Sequence, residues 1–237
     1  MGKFFATIIM LIAATFFIIG CEKSPTQPEP FQSDSDWVDL GLPSGLLWAT
    51  HNVGATSPED YGDYFAWGET LPKSVYTWET YRYFNGVAPS GWPSRVLTKY
   101  CTRADYGYNG YTDGLTTLQP GDDAATANWG DDARTPTYEE WRELLTHTRV
   151  QLTTVNGVNG LCLTGPNGNN LFLPTAGYYN SYRGNSLLRA DRGFYWSSSL
   201  SNVPYVAGTS YIQGENLIMD HCDRFCGVPV RAVRSAH

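Results

Sequence analysis

Gly193-Phe194-Tyr195-Trp196-Ser197-Ser198-Ser199 and its counterpart Gly227-Val228-Pro229-Val230-Arg231-Ala232-Val233-Arg234 frame the C-terminal part of the chain. Both runs mix apolar with small or polar residues, as half-buried strands do. Between them, Leu200 to Cys226 follows no clear period and is rich in turn formers, which reads as a variable surface held in a rigid frame. Asn202, Tyr205, Tyr211, His221, Asp223, Arg224 and Phe225 lie in that middle. They mix aromatic anchors with adaptable polar groups, the composition of binding loops, and are the candidate ligand contacts.

The 237 residues suit one globular domain with a leader and a linker. Aromatic residues make up 14% and charged residues only 16%, so large rings carry much of the packing and the surface is comparatively neutral. The net charge is −7, and no basic run occurs. Nucleic acid is therefore not an expected partner. Lys3 followed by the apolar run Phe4 to Ile19 and Gly20-Cys21 reads as an export signal, residues 1–20. Gly20 before Cys21 resembles a bacterial lipobox, which implies lipidation of Cys21 and a membrane anchor at the cell envelope. Residues 21–36, rich in Pro, Ser and acids, form a flexible linker, and 37–237 the binding domain.

Inside the domain, Trp37 to Ala55 reads as a strand, a Pro-Ser-Gly turn and a second strand. Ser57-Pro58-Glu59-Asp60 is expected to start a short helix. His51 has no metal-ligand spacing around it and reads as structural. Leu71 to Gly121, heavy in Tyr, Gly, Asn and Pro, is an irregular insertion pinned by rings. Asp122 and Asp123 lack the alternating ligands of an EF-hand and instead cap a helix through Ala124 to Trp129. Thr137 and Glu140 form a capping box ahead of a helix that buries Tyr138, Trp141, Leu144 and Leu145. Glu140 thus serves as a cap, and Glu139 and Glu143 lie on the solvated face, so none is read as an acid or base. From Val150 the pattern is strand and turn, with turns at Asn156-Gly157, Asn159-Gly160 and Pro166-Asn167-Gly168. The sum is an α+β domain of mainly antiparallel strands with two or three short helices.

The runs WVDLGLPSGLLWATHNVGATSPEDYGDYFAWGET, DDAATANWG, RTPTYEEWRELL, NGVNGLCLTGPNGNNLFLPTAGY, FYWSSS and VPVRAV, in this order, resemble the exported bacterial family known as the Fibrobacter succinogenes major paralogous domain. The resemblance covers Trp37 to Arg234. It implies a C-type-lectin-like fold, shared with the formylglycine-generating enzyme, in which the first and last strands pair, here Trp37 to Leu40 with Val228 to Val233. It further implies an outer-membrane lipoprotein exposed at the cell surface.

The segment from Leu200 to Cys226 also looks like the variable region of proteins served by diversity-generating retroelements. Randomising an AAC codon cannot give Lys, Glu, Gln, Met or Trp, and neither Leu200 to Ile212 nor Asp220 to Cys226 contains any of these. The function implied is display of a binding surface, about 187–226, to a protein or glycan ligand, without cofactor or catalysis. The motifs of calcium-dependent sugar binding in such folds, Glu-Pro-Asn or Gln-Pro-Asp with Trp-Asn-Asp, are absent from the sequence. Two alternatives share the frame. One is an oxidase like the formylglycine-generating enzyme, with Cys222 and Cys226 holding copper; the other is an invariant structural or adhesive envelope lipoprotein. The pairing of Cys101, Cys162, Cys222 and Cys226 is open at this stage, and Ser197 to Ser199 lack the glycines of a nucleophile elbow.

Overall fold

A computed structural model describes residues 36–86, 96–130, 132–180, 186–188 and 192–236. The leader, Cys21 and the linker up to residue 35 lie outside the described residues. The strands are β1 (Trp37–Asp39), β2 (Leu46–Asn52), β3 (Tyr64–Phe65), β4 (Arg149–Val155), β5 (Val158–Thr164), β6 (Asn170–Pro174), β7 (Tyr178–Asn180), β8 (Ser186–Leu188), β9 (Arg192–Leu200), β10 (Val206–Gln213), β11 (Asn216–Asp223), β12 (Val228–Pro229) and β13 (Arg231–Ser235). Among the described residues, two α-helices, α1 (Ala124–Trp129) and α2 (Tyr138–His147), complete an α+β architecture in which the strand pairs are antiparallel.

The sheets run in the orders β1-β2-β13, β11-β10-β9 and β4-β5-β6, with the two-stranded ribbons β12-β3 and β7-β8. The first and last strands therefore meet on β2: β1 flanks it on one side and β13 on the other. The expected direct pairing of Trp37 to Leu40 with the C-terminal strand does not occur. β2 is the more apolar strand, with Trp48 and Ala49 fully buried, and takes the central place.

The largest correction concerns Leu200 to Cys226. It is not a loop-rich surface but the long hairpin β10–β11, paired in continuous register from Val206 with Asp223 to Gln213 with Asn216. β10 is buried from Ala207 through Ile212 because α2 covers one side of the sheet and aromatic residues fill the other. A strand buried on both faces loses the two-residue alternation by which strands are recognised.

Two apolar clusters hold these layers. Trp141 and Leu144 of α2 pack with Trp48, Leu161, Leu163, Leu171, Leu173, Tyr195 and Ile212, all fully buried. The other cluster is ring-rich, gathering Trp67, Tyr76, Trp78, Tyr81, Tyr83, Tyr100, Trp196 and Phe225. Each fully buried large side chain contributes about 1.5–3 kcal/mol relative to exposure. The second cluster thereby anchors the irregular insertion, which among its described residues contains no α-helix and no strand.

The capping predictions match the observed geometry at Thr137, Glu140 and Asp123, whereas the Asp122 carboxylate accepts from Tyr83 Oη and Tyr100 Oη, each at 2.6 Å. Thr137 Oγ1 accepts from Glu140 N at 3.2 Å, and Thr137 N donates to Glu140 Oε2 at 2.8 Å. Arg134 locks the same carboxylate with two bonds of 2.7 and 2.6 Å. Asp123 caps α1 through Ala125 N at 2.9 Å. The helix expected after Ser57 is a single turn instead. Asp60 N bonds Ser57 O, the Asp60 carboxylate turns back to Thr56, and Gly62 follows at φ +69°. Asn156-Gly157 forms the expected turn between β4 and β5, but Asn159-Gly160 lies inside β5. Gly160 is there for space: a Cβ would collide with the carbonyl of Leu173 and the ring of Phe172.

Candidate functional site

The seven expected contacts separate into different environments. Arg224 and Phe225 are fully buried, and Tyr211 is buried in a stack on Phe194 with ring centroids 4.5 Å apart. These three are corrected from ligand contacts to framework. The ring of Phe225 meets Trp78 at 5.1 Å. Arg224 is buried because its guanidinium is satisfied from several sides: Nε donates to Tyr81 Oη at 2.8 Å, Nη1 to Pro204 O at 2.8 Å and Tyr100 O at 3.2 Å, and Nη2 to Lys99 O at 3.0 Å. Trp67 and Tyr81 face its charge at 5.0 and 5.2 Å. His221 is exposed on β11, stacked on Tyr138 of α2. Asn202, Tyr205 and Asp223 stand at the open end of the hairpin, Asp223 two ladder positions beyond His221.

Arg224 ties the turn carrying Pro204 and Tyr205 to the insertion backbone at Lys99 and Tyr100. The consequence is a composite surface. Tyr205 meets Tyr106 at 5.7 Å between centroids, and the Arg103 guanidinium lies 4.8 Å from the Tyr106 ring while pairing with Asp105 at 2.6 Å. Beside them an open cleft of about 410 Å³ is lined by Ala104, Asp105, Tyr108, Asn109 and Gly110. Tyr108 and Tyr111 are each 40% exposed, a large value for such rings. Asn109 sits at φ 52°, in the left-handed region that Asn tolerates. Gly107 is required, since a Cβ would overlap the carbonyl of Tyr111. Asp113 holds the loop's base by accepting from Tyr100 N at 2.7 Å, Cys101 N at 2.9 Å and Leu115 N at 3.1 Å.

Asp223 adds a carboxyl beside Tyr205. Burial pushes its carboxyl up to about 6. The Tyr205 hydroxyl is in turn raised, first by burial and then by the negative charges of Tyr106 and Asp223 beside it. No protein-family model, curated protein or solved structure matches this chain. The site is therefore read from its own chemistry: adjacent tyrosines, a cleft with amide and carboxylate walls, and one carboxyl whose protonation changes near neutrality.

The tyrosines of the insertion were not singled out from sequence. The signal available was the composition of Tyr106 to Tyr111, where aromatic, Gly and Asn residues alternate without an apolar period. The described cysteines, Cys101, Cys162, Cys222 and Cys226, are buried free thiols. Burial pushes the Cys226 thiol well above its ordinary range, and the neighbouring Cys222 adds to the shift. Among the described residues, no group of three or more His, Cys, Asp or Glu side chains is placed to hold a metal ion.

Proposed function

We propose that this chain is an exported, lipid-anchored binding protein of the cell envelope, with a C-type-lectin-like domain that presents the Tyr106/Tyr108/Tyr205 surface to a protein or glycan ligand. The observation that carries the reading is the composite surface itself. A buried arginine, Arg224, holds the half-buried rings of Tyr106 and Tyr205, from two separate parts of the chain, side by side. Rigid tyrosines offer contact area at low entropic cost, and the neighbouring Asn202, Asn109, Asp105 and Asp223 offer hydrogen bonds. The ordered motifs from Trp37 to Arg234 support membership of the Fibrobacter succinogenes major paralogous domain family, and Gly20-Cys21 supports lipidation at Cys21. Diversification of Leu200 to Cys226 by a retroelement belongs to the same proposal, restricted by the fold to the positions that reach the surface.

The test is direct binding. The purified protein is applied to glycan arrays and to a panel of displayed envelope proteins, beside Tyr205→Ser and Tyr108→Ser. A ligand whose binding falls about tenfold or more in both variants is expected. Ligands bound equally by wild type and both variants would place recognition elsewhere.

A further inference from the structure

A second cleft, also of about 410 Å³, opens where the two ends of the domain meet on β2. It shares no lining residue with the tyrosine surface. Its apolar part is a corner of two indoles, Trp37 of β1 and Trp129 at the end of α1, with centroids 5.3 Å apart and planes at 89°. His51 of β2 closes the corner against Trp129 at 4.9 Å. Asn128 contributes a fixed amide: its nitrogen is held by Ala124 O at 2.8 Å and Thr70 O at 3.2 Å, which leaves the oxygen as an acceptor. The carboxylates of Asp36 and Asp132 line the remaining wall.

Arg234 fixes the ligand class. Its guanidinium lies 4.6 Å from the Trp37 ring, so the cation position on that indole is already taken by the protein. Its Nε is shielded from solvent and has no hydrogen-bond partner among the described residues, a donor that an acceptor in the cleft could satisfy. His51 Nδ1 lies 3.3 Å from Thr50 Oγ1, leaving Nε2 for a ligand. Burial, reinforced by the Arg231 charge, lowers the His51 pKa and favours a neutral ring. The walls thus combine donors and acceptors of both kinds over an aromatic corner. An organic cation would meet Arg234, and an anion would meet Asp36 and Asp132. A neutral molecule with one apolar face and many hydroxyls meets neither penalty.

We infer that the Trp37/Trp129 cleft is a binding site for a neutral saccharide, one pyranose ring packing its C–H face on the indole corner while its hydroxyls reach Asn128, Asp132 and Arg234. A cleft of this size lies within the range of small-molecule sites. The inference goes beyond the proposed function, because it concerns a different surface and stands whether or not the tyrosine surface binds anything.

The experiment is saturation-transfer NMR on the full chain with glucose, galactose, mannose and N-acetylglucosamine as separate probes, and tetramethylammonium and acetate as charged controls. At least one sugar is expected to show transfer. Its affinity should fall about tenfold in Trp129→Ala and severalfold in Asp132→Asn, and stay unchanged in Tyr205→Ser. Asp132→Asn and His51→Gln guard against misfolding of the tryptophan variant, each checked by its melting curve. The inference is overturned by absence of transfer from all four sugars. It is equally overturned by transfer that survives Trp129→Ala and Asp132→Asn, by transfer lost in Tyr205→Ser, or by transfer from a charged control alone.

Discussion

Arg224 Nε donates a 2.8 Å hydrogen bond to the hydroxyl of Tyr81, joining residues 143 apart in the chain at a point with no solvent exposure. The same guanidinium bonds the carbonyls of Lys99, Tyr100 and Pro204. It therefore organises the insertion and the C-terminal hairpin into one surface. A fully buried cation is costly to desolvate, and here carbonyl dipoles and aromatic faces compensate it in place of a paired carboxylate.

Arg224→Leu should leave several buried acceptors without donors, each costing about 1–3 kcal/mol. The expected loss is about 3 kcal/mol or more in chemical denaturation, with earlier proteolytic cleavage in the insertion. Arg224→Lys should recover only part of it, since an ammonium cannot reproduce the planar fork. A denaturation midpoint unchanged in Arg224→Leu would remove Arg224 as the staple.

Asp223 gives the surface a pH signature. Its folded pKa of about 6 lies above the ordinary aspartate value of 3.8. Between those values the folded state holds more protons than the unfolded state, so stability falls as pH rises from about 4 to about 6 and then levels off. Asp223→Asn should be more stable than wild type at pH 7, by on the order of 1–2 kcal/mol for this partly exposed group, and the two should converge near pH 4. Parallel curves for wild type and variant across that interval would refute the assignment.

Thr137→Ala should cost about 1 kcal/mol, because the Glu140 amide loses its acceptor at the start of α2. The effect should spread to β9, since α2 also carries Trp141 Nε1 to Trp196 O at 3.1 Å and Tyr138 N to Ser199 Oγ at 3.1 Å. Hydrogen exchange comparing β9 with β4 would show it, with faster exchange expected in β9 alone.

Local signals were legible in the sequence where their chemistry is local. The Thr137/Glu140 box, the Asp123 cap and the Asn156-Gly157 turn each depend on residues within a few positions. Burial in the C-terminal hairpin was not legible, because what covers β10 is α2 and the ring cluster, both distant in sequence. Arg224 and Phe225 looked like surface groups because a charged or aromatic residue in a turn-rich stretch usually is one. The acceptors that bury Arg224 belong to Lys99 and Tyr100, in a stretch without periodicity. The candidate site was half legible for the same reason: Asn202, Tyr205 and Asp223 stand out in the sequence, but Tyr106 becomes the partner of Tyr205 only through the tertiary pin.

The fold also limits where diversification can act. Thr209 to Ile212 are buried in β10, and Arg224 to Cys226 are buried at the end of the hairpin. A random residue at either place would open a cavity or strand a polar group, commonly several kcal/mol of a marginal total. Asn202, Asp220 and His221 are exposed and Tyr205 and Asp223 partly so, and change there leaves the core intact. Sequencing the gene's 3′ end across many cells of one population should therefore show substitutions concentrated at these five positions, at codons matching a nearby template repeat. Thr209 to Ile212 and Arg224 to Cys226 should stay constant among chains that still fold. A uniform sequence with no template repeat would remove diversification and leave a fixed binding surface. Substitutions spread evenly over buried and exposed positions would contradict the division between framework and surface drawn from Arg224.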